Sequence, residues 1–150
     1  EDAHLLYERL ADGVLLKGKT PQLLFGRLAD QHARLGRTYE DQQMNAEAMA
    51  EYRKALLLFP RMPDVRLALG KLCMRLQQYD KAQQEFSALL HLNDNDLQAH
   101  LWLGVLALQG GRKDMARKYW ERALQIDPDD IAAKTYARLA SGWSVEPALA

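Results

Sequence analysis

The chain contains one cysteine, Cys73, so no internal disulfide forms and a small scaffold stapled by bridges is excluded. Cys73 falls inside a helical apolar pattern, where a small buried thiol is the ordinary role. An excess of either charge is missing too. Twenty Lys and Arg cancel twenty Asp and Glu, which leaves no overall field to draw the chain onto nucleic acid or an anionic membrane. No apolar run approaches the roughly 18 residues of a membrane span, and no leader pattern marks a secretory signal. The first residue is Glu1 rather than a methionine, which fits excision from a longer protein. The expected localisation is that of a soluble segment, cytoplasmic or periplasmic.

What the chain does hold is 48% hydrophobic and 27% charged, which suits one ordinary globular domain. Its organising feature is a pattern that returns every 34 residues without insertion. Leu35 and Gly36 recur as Leu69 and Gly70, then as Leu103 and Gly104. Ala48 recurs as Ala82 and Ala116, and Tyr52 as Phe86 and Trp120. A strict period of this length marks a helical repeat. The copies span 29–62, 63–96 and 97–130, and each holds two short helices that cannot bury an apolar face without stacking on a neighbour.

Ahead of the first copy, Leu6, Leu10 and Val14 recur at four-residue spacing, which predicts an amphipathic helix over about 2–17. Gly18, Thr20 and Pro21 then end that helix and start another. Leu24, Leu28, Leu35 and Tyr39 carry this second helix on as one unbroken element of about 22 residues. The second helix of the first copy is expected after Asn45 as N-cap. That of the second copy follows a capping box of Asp80 and Gln83 and runs to about Leu92, and that of the third follows Asp114 and runs to Ile126. Gly110 and Gly111 separate the two helices of the third copy, and one further helix is predicted over 131–140.

Small residues at Gly36, Gly70, Gly104, Ala48, Ala82 and Ala116 suit close helix approach, with Tyr52, Phe86 and Trp120 filling the space beside them. With Leu35, Tyr39, Ala55 and Pro60 they carry a resemblance to the tetratricopeptide repeat family, whose motif has a large residue at the fourth position of the copy, then Leu-Gly, an aromatic, Ala, an aromatic, Ala and Pro at these offsets. The first copy departs only at His32. The others also depart at Arg66, Cys73, Leu89, Asp94 and His100. The resemblance implies an all-α fold, a right-handed α-solenoid of three helix-turn-helix repeats. It would form a single domain over 1–142, with capping helices at 1–28 and 131–142 and a tail over 143–150.

Chemistry of other kinds finds little support. Residues 13–20 match the phosphate-loop string of two glycines followed by Lys19 and Thr20, but the mechanism needs a preceding strand and a second strand bearing a metal-binding Asp. The pattern before Gly13 is helical, so a helix end is the better reading. His4, His32, His91 and His100 lack the close paired spacing of metal sites, and the equivalence of His32 and His100 points to packing. Asn93 to Asp96 starts like a calcium loop, yet Gln98 and Gly104 stand where such a loop needs glycine and glutamate, so a solvated turn is expected. No nucleophile and base set stands out. The expectation is no enzyme, no cofactor, no metal and no nucleic-acid partner.

Function is instead expected where the copies differ. At 100° per residue, the second, fifth, ninth and twelfth positions of each first helix lie opposite the packed side. The family resemblance makes that stripe the lining of a concave groove for a partner peptide or helix. It reads Asp30, Ala33, Arg37, Glu40; then Asp64, Leu67, Lys71, Met74; then Gln98, Leu101, Val105, Leu108, bordered by Arg34, Ala68, Arg75, Trp102 and Gln109. The groove should therefore turn from charged to apolar along the chain. Leu101, Trp102, Val105, Leu108 and Met74 are expected to take apolar anchors, with Arg34, Arg37, Leu67, Lys71 and Arg75 alongside and the cations steering acidic groups. The alternative is that the last helix or the tail over 143–150 covers this surface within the same chain. The five-residue clamp that some co-chaperones of the family use for acidic tails is replaced here by Ala33, Arg37, Ala68, Gln98 and Trp102. The resemblance thus implies a binding module or assembly adaptor. A client-holding secretion chaperone, or a regulatory or structural domain of a larger protein, is the alternative.

Overall fold

The computed structural model describes residues 21–143, which form helices and, among the described residues, no strand. In chain order they are α1 (Pro21–Asp41), α2 (Asn45–Leu58), α3 (Pro63–Arg75), α4 (Tyr79–Leu92), α5 (Leu97–Gln109), α6 (Lys113–Ile126) and α7 (Ile131–Ser141). The long first helix runs unbroken for 21 residues, as its apolar spacing predicts. The helix expected over 2–17, the phosphate-loop string at 13–20 and the end of the tail at 144–150 lie outside the described residues. The described chain falls into two compact units whose boundary lies inside α3, between Leu69 and Gly70. In the first, α1 packs along α2; in the second, α5 packs against α4 and α6, and α6 against α7.

Each turn from a first helix to its second is closed by the same pair of backbone bonds. The N–H groups of Met44, Gln78 and Arg112 donate to the carbonyls of Tyr39, Cys73 and Ala107, each at 2.8 Å. Those of Gln43, Gln77 and Gly111 donate to Glu40, Met74 and Leu108 at 2.9, 3.0 and 2.9 Å. This is the Schellman arrangement, which needs a left-handed residue just past the helix end. Gln43, Gln77 and Gly111 hold that conformation, with φ of 60°, 58° and 74°.

This closure corrects the expected N-caps. The residues entering α2, α4 and α6 are Met44, Gln78 and Arg112, none with a side-chain cap bond. Asn45 is instead the first helical residue. Asp80 and Asp114 sit one place further in, inside the first turn, where a carboxylate faces the positive helix end. Side-chain caps occur at two of the other junctions. Asp96 accepts from the Ala99 N–H at 2.8 Å and Asp130 from the Ala133 N–H at 2.7 Å, so the turn expected to be merely solvated ends in a working cap.

The small residues act as the spacing predicts. Tyr52, Phe86 and Trp120 are fully buried, each with its ring laid on the glycine of the preceding helix. A Cβ at Gly36 would stand 2.7 Å from the Tyr52 ring, and one at Gly70 would stand 2.5 Å from Phe86. At Gly104 it would fall closer still, against the Trp120 indole. Ala48, Ala82 and Ala116 are also fully buried. Cys73 is buried, as its place in the helical pattern predicts.

Candidate partner-binding surface

In the unit ending at Leu69, α1 presents Arg34 and Arg37 to solvent, while Ala33 of the same stripe is buried. Arg37 Nη2 donates to Asp64 Oδ2 at 2.7 Å, with both side chains more than half exposed. An exposed pair of this kind is worth little to stability and exchanges readily for another acid. Leu67 is half-buried. Beside this stripe lies a polar pair that the sequence reading missed. His32 Nδ1 sits 2.5 Å from Glu51 Oε2, and Lys54 Nζ donates to Glu51 Oε1 at 2.7 Å. Burial alone would raise the Glu51 carboxyl, but the bonds from Lys54 and His32 outweigh it and hold the group below the usual value. Burial, helped by a 2.7 Å bond to Glu40, pushes the Tyr52 hydroxyl up.

The fourth repeat position thus carries a histidine in two copies. His100, the counterpart of His32, is buried, and its Nε2 meets the Asp94 carbonyl at 2.9 Å. Its Nδ1 has no partner, and its ring lies 6.1 Å from that of Tyr119. The expected packing role fits both histidines. The signal was present in the register, since Glu51 and Tyr119 are also one repeat position.

In the unit from Gly70 onward, α3 presents Lys71 and Arg75 to solvent and half-buries Met74. On α5, Trp102, Val105 and Leu108 are half-buried. Trp102 stacks on Phe86 with centroids 5.9 Å apart and planes 16° from parallel, and the Lys71 ammonium lies 5.6 Å from its ring. That places a desolvated aromatic next to a cation on a partly open surface. The stack repeats one copy later, where Trp120 and Tyr136 lie 4.8 Å apart at 13°. Trp102 therefore has a packing role beside its expected place on the groove border. The recurring aromatic at the sixth position of the following copy was the clue.

Leu101 departs from the expectation of an open anchor. It is only 5% exposed and belongs to a buried cluster with Ala107, Ala116, Trp120, Ala123, Ala133 and Ala140. Its carbonyl also accepts the Trp120 indole N–H at 3.2 Å. Small Ala133 and Ala140 of α7 belong to the same buried cluster, so the side chain is enclosed together with residues of a helix that a reading of α5 alone does not include. Val105 and Leu108 pack against the same cluster yet keep part of their surface in solvent. The apolar stripe thus survives at these two residues and is lost at the third.

Among the described residues no three His, Cys, Asp or Glu side chains converge as a metal site would require. No helix there is long and apolar enough to cross a membrane.

A family model described as a tetratricopeptide repeat matches residues 33–82 and again 67–131. A search of curated protein sequences returns no match. Among solved structures, the first tetratricopeptide domain of Spaghetti (RPAP3), bound to the HSP90 peptide SRMEEVD, is similar with a TM-score of 0.71 at 22% identity, covering 77% of this chain and 92% of that one. The Arabidopsis OM64 tetratricopeptide domain gives 0.72 at 15% identity, covering 78% and 97%. The crystal structure of MamA gives 0.69 at 20% identity, covering 92% and 74%.

Proposed function

Because the chain belongs to the tetratricopeptide repeat family, we propose that it is a non-enzymatic protein–protein interaction module. Its partner segment would lie on the surface of α3 and α5 between Lys71 and Leu108. The observation that carries this reading is Trp102, partly open, flanked by the Lys71 ammonium and followed on its helix by half-exposed Val105 and Leu108. Part-exposed aromatic and aliphatic groups beside a cation suit a segment with apolar anchors and a nearby acid. The RPAP3 neighbour was solved with an acidic peptide of HSP90, which supports peptide capture as the use of such a surface. The anchoring would differ here, since Ala33, Arg37, Ala68, Gln98 and Trp102 stand in place of the clamp that some co-chaperones of the family use.

The test is affinity capture with Lys71→Glu plus Leu108→Ser against wild type and against the outer-surface control Lys118→Glu, after circular dichroism establishes that all fold. We expect partner recovery to fall about tenfold or more for the double variant and to hold for the control. Unchanged recovery overturns the reading.

A further inference from the structure

The last helix, α7, is fixed along one side and open along the other. On the fixed side Ala133 and Ala140 are buried and Tyr136 stacks on Trp120. Beyond its end Trp143 packs against Trp120 at 5.8 Å and beneath the Lys113 ammonium at 5.9 Å. Arg117 Nη2 donates to the carbonyls of Ala140 and Trp143 at 3.5 and 3.4 Å, so the helix C-terminus is held as well. The helix is therefore a rigid platform rather than a fraying end.

Its open side is unlike an ordinary solvated face. Ile131 is 81% exposed and Leu139 53% exposed, and they lie eight residues apart with Thr135 between them, on one stripe at four-residue spacing. Thr135 spends its hydroxyl on the Ile131 carbonyl at 2.7 Å. Along one flank of the stripe stand Lys134 and Arg138, and α7 contains no acidic residue. Lys134 reaches Asp129 at 3.1 Å, with the lysine half exposed and the carboxylate almost fully so. Among the described residues no side chain pairs with the Arg138 guanidinium. An apolar stripe edged by cations selects a partner of opposite pattern.

We infer that the open face of α7 docks an acidic amphipathic helix from another protein. Its apolar residues, one turn apart, would sit along Ile131, Thr135 and Leu139, and its carboxylates would face Arg138 and Lys134. A second copy of the chain is the poorer occupant. A two-fold pairing of this face brings its cations against the same cations, with no acid on the helix to separate them. This contact does not depend on the α3 and α5 surface.

The test uses the whole chain and two synthetic helical peptides, with leucines at successive turns flanked by glutamates in one and by lysines in the other. Binding is followed by calorimetry and by amide chemical shifts. We expect the glutamate peptide to bind and to shift α7 amides. Ile131→Ser plus Leu139→Ser should weaken it about tenfold or more. Arg138→Glu should weaken it about fivefold and improve the lysine peptide. All three positions are exposed, and circular dichroism checks that the variants stay folded. Equal binding of the two peptides, or none, overturns the inference, as do shifts confined to other helices. So does loss of binding in Lys71→Glu, which would put the peptide on the other surface. Self-association abolished by Leu139→Ser, or tighter binding to phosphatidylserine vesicles than to the glutamate peptide, also overturns it.

Discussion

A glycine beneath a fully buried ring is the smallest unit of this fold, and it appears three times with rings of different size. Tyr52, Phe86 and Trp120 each occupy the space a Cβ would need on Gly36, Gly70 and Gly104. Alanine improves helix propensity by about 1 kcal/mol over glycine, so in an open helix the change would stabilise. Here the ring must move, and none of the three has room, being fully buried. Overpacking of this kind costs about 1–3 kcal/mol, enough to outweigh the propensity gain. The expected order of destabilisation in urea follows the approach distances, Gly104→Ala first, then Gly70→Ala, then Gly36→Ala. A stabilised Gly104→Ala would show that the helices separate more freely than the ring contacts imply. These pairs were legible in the sequence because both members keep strict register. The burial of Leu101 was legible only as the alternative that the last helix covers this surface. A helix wheel describes one helix, whereas that side chain shares a buried cluster with Ala133 and Ala140 of another.

At the level of elements, the boundaries follow from how the chain turns rather than from which residue could cap. Asn45, Asp80 and Asp114 are good capping residues by type, and all three are displaced from the cap by the Schellman closure one step earlier. That closure is written in backbone conformation, and Gln43 and Gln77 do not advertise it as Gly111 does. A left-handed conformation costs an L-residue about 1–2 kcal/mol, and glycine escapes this. Against it stands glycine's larger entropy in the unfolded chain, about 0.5–1 kcal/mol. We therefore expect Gln43→Gly and Gln77→Gly each to stabilise by about 0.5–1 kcal/mol, read as a rise in thermal midpoint. Gly111→Gln should do the reverse. If both glycine variants destabilise, the glutamine side chains hold their turns by contacts that outweigh the backbone strain.

For the molecule as a whole, period and register were enough to read an all-α repeat fold, but not where the copies differ in packing. Phe86 stacks on Trp102 and Trp120 on Tyr136, while the residue in the same register after Tyr52 is Ala68, which has no ring. Aromatic stacks add about 0.5–1.5 kcal/mol beyond the area they bury. In a repeat array stability is close to a sum of local terms, so such differences stay local instead of averaging over the chain. The unit from Gly70 onward holds both stacks, and its α5 and α6 amides should exchange with solvent more slowly than those of α1 and α2. Trp102→Ala removes one stack and most of a half-buried side chain, and it should lower protection in α4 and α5 by about 2–3 kcal/mol. The α1 and α2 amides should change by less than about 0.5 kcal/mol. Equal loss across all helices would mean that the chain opens as one cooperative body, and the stacks would then stabilise the whole array rather than the segment that contains them.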